Sequence, residues 1–141
     1  MAGTDDPPQE PLRMLLYSDD SDVRAQVRLA VGKRPAADLP EVQWTECATH
    51  PAVVAAVDKG GLDLVILDGE SVPAGGMGIA RQVKNEVYAC PPILVLIGRP
   101  QDAWLATWSR ADGAVSHPLN PIEVAHAVGA LVRARADAST S

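Results

Sequence analysis

Leu62-Asp-Leu-Val-Ile-Leu-Asp68 is the stretch on which the fold turns. Apart from Asp63 it is unbroken Leu, Val and Ile until it closes on a carboxylate. A strand with one wet face alternates apolar and polar residues. This one does not, so it reads as a parallel strand covered on both faces. Just upstream, Gly60-Gly61 stops a helix. That helix is capped by Thr49, has Pro51 in its first turn, and carries Val53, Val54 and Val57 as its apolar stripe. Downstream, a Gly- and Pro-rich loop from Gly69 to Gly76 leads to a helix over Met77 to Val87, with Ile79, Val83 and Val87 in register.

The same alternation runs outward to both ends. Arg13 to Ser18 is a short apolar strand that stops at Asp19-Asp20, and Ser21 or Asp22 caps a helix through about Gly32 with Val23, Val27 and Val31 inward. Pro35 to Pro40 is a loop and Val42 to Cys47 alternates like a strand. Pro92 to Ile97 is a second fully buried strand. Asp102 caps a helix through Ala111, Ala114 to Ser116 is a short strand, and Pro121 to Arg135 is the last helix with Val124, Val128, Leu131 and Val132 facing in. Strand and helix alternate five times. Right-handed crossovers then give an α/β fold, a doubly wound parallel five-stranded sheet with helices on both faces. Residues 1–11 read as a disordered lead, 12–135 as one domain and 136–141 as a frayed tail.

The chain has 141 residues, 47% hydrophobic and 21% charged, which suits one globular domain. No run approaches the ~18 apolar residues of a membrane span. Met1 to Pro11 is acidic and Pro-rich without an apolar core, unlike a signal peptide. A cytoplasmic location is expected. The net charge of −6 disfavours nucleic acid. Cys47 and Cys90 form no CxxC pair and read as reduced thiols, Cys47 as core filler. His50 and His126 read as surface helix residues. There is no GxGxxG, GKS/T or GxSxG, so dinucleotide, P-loop and α/β-hydrolase readings lack their motifs.

Active groups of such sheets lie beyond the carboxyl ends of the strands. There the chain places Asp19 and Asp20 after the first strand, Asp68 after the third, Ile97 at the end of the fourth and His117 after the fifth. Three converging carboxylates repel one another. Mg²⁺ resolves this with oxygen ligands and an open position for a phosphoryl oxygen. Asp68 is the natural nucleophile, since a carboxylate can accept a phosphoryl group as an acyl phosphate.

Leu15 to Asp20, Asp63 to Asp68, Gly76 to Arg81, Pro92 to Ile97 and Ala111 to Pro118 resemble the successive blocks of bacterial response-regulator receiver domains, over about residues 12–134. The resemblance implies a flavodoxin- or CheY-like sheet of order 2-1-3-4-5 and an atypical stand-alone receiver of actinobacterial type in two-component phosphorelay signalling. It implies Asp68 as phosphoacceptor, and Mg²⁺ held by Asp19, Asp20, Asp68 and the Glu70 carbonyl. It also implies a histidine kinase or small phosphodonor as partner, and no enzymatic turnover.

The chain departs from the pattern in several places. Aligning on Arg24 puts Ser18 and Asp19 at the family's acidic pair, with Asp20 as a substitute; the other alignment uses Asp19 and Asp20. Ile97 stands for the switch hydroxyl, His117 for the Lys, and Ala114 for the switch aromatic. Trp104 and Trp108 share a helix face, with Trp104 read as core. Trp108 and Ala114 are candidates for an interaction surface made by the fourth predicted helix, the fifth strand and the fifth helix, where a protein target or a second copy would bind. A phosphate-independent pseudo-receiver is the alternative. A flavodoxin-like ligand-binding domain ranks below it, because Asp19 and Asp20 would repel a flavin phosphate.

Overall fold

Leu64–Asp68 (β3) is the middle strand of a five-stranded sheet, and all five of its residues are buried. The computed structural model describes residues 10–69, 76–86, 91–99 and 111–140. The other strands are Leu12–Tyr17 (β1), Val42–Cys47 (β2), Ile93–Ile97 (β4) and Gly113–Ser116 (β5). Every neighbouring pair is parallel, in the order β2-β1-β3-β4-β5. This is the doubly wound sheet expected from the sequence. Tyr17 pairs with Leu67, Asp68 with Leu96 and Ile97 with Ser116, so the strands end level at one edge.

Four described helices flank the sheet: Ser21–Val31 (α1), His50–Lys59 (α2), Gly76–Glu86 (α3) and Pro121–Thr140 (α4). Successive residues of a strand point to opposite faces, and the core divides accordingly. Leu15, Tyr17, Val65, Leu67, Val95 and Ile97 pack with Val53 and Val57 of α2 and Ile79 and Val83 of α3. Met14, Leu16, Leu64, Ile66, Leu94 and Leu96 pack on the other face with Val27 and Val31 of α1 and Val124, Val128 and Val132 of α4.

Several boundaries differ from the sequence reading. Asp20, not Ser21 or Asp22, caps α1: its backbone is extended and its carboxylate accepts the Asp22 N–H at 2.8 Å. Thr49 caps α2 as expected, with Gly60 after its end at φ 78°. β3 begins at Leu64 rather than Leu62, because Asp63 is spent on the first strand: its N–H donates to the Arg13 carbonyl and its Oδ2 accepts from the Arg13 N–H at 2.9 Å. α4 continues through Thr140, past the Arg135 end and into the segment expected to fray. Ala136, Asp137 and Ala138 contain no helix breaker to stop it. His50 is not a plain surface residue, since its Nε2 is buried with no hydrogen-bond partner among the described residues. His126 is exposed as expected. The helix expected over Asp102 to Ala111, together with Glu70, Cys90, Trp104 and Trp108, lies outside the described residues. No described helix is long and apolar enough to cross a membrane.

Candidate functional site

Asp68 ends the buried central strand and is itself 3% exposed. Burying a carboxylate is costly unless it is hydrogen-bonded. Ser18, fully buried where β1 gives way to the loop, donates its hydroxyl to Asp68 Oδ2 at 2.8 Å. Ser18 Oγ in turn accepts the Asp20 N–H at 3.0 Å. A hydroxyl has one donor and two acceptor sites, so both bonds are satisfied at once.

The corner that holds Ser18 is braced from α1. Arg24 donates through Nη1 to the Ser18 carbonyl at 2.6 Å and through Nε to Glu46 Oε1 at 3.1 Å. Arg28 donates to the other Glu46 oxygen. The sequence reading used Arg24 only to align the chain and missed its role as a brace. The signal was available: a cation one turn into α1, six residues after Ser18, with an acid at the end of the neighbouring strand. Cys47, beside Glu46, has its thiol pushed up from the ordinary cysteine value by burial, partly offset by the positive charge of Arg24.

Asp19, Asp20, Val23, Asp68, Gly98 and His117 line one cleft of about 310 Å³. The structure therefore brings together the expected carboxylates and His117. The His117 N–H donates to the Ile97 carbonyl at 2.8 Å, and the His117–Pro118 peptide is cis. Ile97 is 3% exposed and belongs to the core on the α2–α3 face. Ala114 is exposed on β5.

Tyr17 sits opposite Leu67, so the residue that follows it, Ser18, stands beside Asp68. Mg²⁺ asks for converging oxygens from several carboxylates. Here Asp20 caps α1 and a hydroxyl stands next to Asp68. Among the described residues no three His, Cys, Asp or Glu side chains gather as a metal-ligating group. Lining a common cleft is not convergence on one point, and the described donor set does not make the cation cage expected from the sequence.

No family model matches the chain. Over 125 residues it is 55% identical to an uncharacterized response regulatory protein of Mycobacterium tuberculosis, recorded in strains CDC 1551 and H37Rv, covering 89% of this chain and 94% of that protein. The chain belongs to the response-regulator receiver family. It is a receiver of two-component signalling, with an actinobacterial relative as the resemblance implied. Solved receivers share the fold at low identity. A putative response regulator from Chloroflexus aurantiacus superposes with a TM-score of 0.75 at 20% identity, covering 88% of this chain and 99% of that one. A CheY-like receiver domain protein from Methanospirillum hungatei gives 0.72 at 13% identity, covering 91% and 98%.

Proposed function

We propose that Asp68 is the phosphoacceptor of this receiver, loaded by a histidine kinase or by a small phosphodonor in the cytoplasm. The observation that carries the reading is Asp68 itself: a buried carboxylate at the end of the central strand, lining a cleft with Asp19, Asp20 and His117. In the transfer an Asp68 carboxylate oxygen forms a bond to phosphorus. The bond from phosphorus to the donor breaks, either at the imidazole nitrogen of a phosphohistidine or at the acyl oxygen of an acyl phosphate. The leaving group takes the electron pair. His117 offers the incoming phosphoryl oxygens an N–H donor in place of a fixed ammonium. The protein is a stoichiometric signal carrier and not an enzyme with turnover. Exposed Ala114 supports a target, or a second copy, on the face made by β5 and α4.

Intact-mass analysis after incubation with a small acyl phosphate tests this. The wild-type chain gains one phosphoryl group and Asp68→Asn gains none; equal labelling of both overturns the assignment. One observation favours a second reading, a phosphate-independent interaction module: Ile97, buried and without a hydroxyl, cannot follow a phosphoryl group. In that case Asp68→Asn leaves partner binding and cellular phenotype unchanged.

A further inference from the structure

We propose that Ser18 attenuates the acceptor pocket by putting a neutral hydroxyl beside Asp68, where a carboxylate would help to hold a divalent cation. The inference rests on reading Asp68 as the phosphoacceptor. Four observations bear on it. Ser18 is fully buried, so its hydroxyl cannot swing into solvent and vacate the place beside Asp68. Its Oγ is fixed from two sides, by Asp68 Oδ2 at 2.8 Å and by the Asp20 N–H at 3.0 Å. One carboxylate of the same cleft, Asp20, is committed to the Asp22 N–H at the start of α1. The Arg24 guanidinium already sits on the Ser18 carbonyl at 2.6 Å, braced by Glu46, and brings positive charge to the corner a cation would approach. A neutral hydroxyl contributes less than a carboxylate to holding a hard cation. A low cation affinity leaves the charge of an incoming phosphoryl group poorly compensated, so loading is slow.

The test is an amide NMR titration of the full chain with Mg²⁺, comparing wild type with Ser18→Asp and Ser18→Ala. Ser18→Asp is expected to tighten Mg²⁺ binding by about tenfold or more and to speed labelling by acyl phosphate at a fixed sub-saturating Mg²⁺ concentration. Ser18→Ala, which adds no charge, is expected to bind Mg²⁺ no more tightly than wild type, and Ser18→Glu serves where Ser18→Asp does not fold. Mg²⁺ affinity equal to wild type in a folded Ser18→Asp or Ser18→Glu chain, or a Ser18→Ala chain that binds as tightly as Ser18→Asp, overturns the inference. If no variant is labelled at saturating Mg²⁺, the phosphoacceptor reading fails while the Mg²⁺ affinities still decide the role of Ser18.

Discussion

Ser18, Ile97 and Cys47 show how one side chain sets what this receiver can do. Ser18 gives the buried Asp68 its hydroxyl partner. Ile97 lies in the core with Tyr17 and Val95, so the end of β4 contributes apolar packing. Cys47 closes β2 inside the same apolar cluster. The thiolate is the reactive form, and burial raises the Cys47 thiol above its ordinary value. Iodoacetamide labelling followed by peptide mapping is therefore expected to leave Cys47 unmodified in the native protein at neutral pH and to modify it once urea unfolds the chain. Equal rates in both states would contradict the buried position. The place of Asp68 at the end of the central strand was legible from sequence because it closes an otherwise apolar run. The Ser18–Asp68 bond was not, since it depends on strand pairing across 50 residues.

Helices and strands were legible in proportion to their apolar periodicity. β3 and β4, entirely apolar up to the closing Asp68, were read almost to the residue, whereas the end of α4 was missed because the Ala- and Arg-rich segment after Leu131 carries no stop signal. Contacts between elements were invisible for another reason. Arg133 of α4 holds Asp38, in the loop before β2, through two hydrogen bonds of 2.7 and 3.3 Å across 95 residues. The Arg133 bond, then the Asp38 backbone N–H, hold this exposed carboxyl below its ordinary value of 3.8. A carboxyl depressed in the folded state stabilises it above the unfolded value and loses that contribution as pH falls through the folded one. Asp38→Asn is thus expected to lower the urea midpoint slightly at pH values above 3.8. The difference from wild type should shrink as the medium is acidified below that value. A difference that persists in acid would assign the effect to something other than charge.

The parallel sheet was predictable in class from the alternation of strands and helices, and its order from the family resemblance. What the sequence withheld was the way the core is divided. Five strands lie between two apolar clusters, with Ile79 of α3 in one and Val128 of α4 in the other. The sheet behaves as a bulkhead between two separately sealed compartments. A void opened under α3 is not relieved by repacking under α4, because a hydrogen-bonded ladder stands in the way. Ile79→Ala is expected to cost about 2–5 kcal/mol and Val128→Ala roughly 2 kcal/mol. In the double variant the two losses should sum to within about 0.5 kcal/mol, as read from urea unfolding. A receiver sealed in this way can change the residues of one compartment over evolutionary time without renegotiating those of the other.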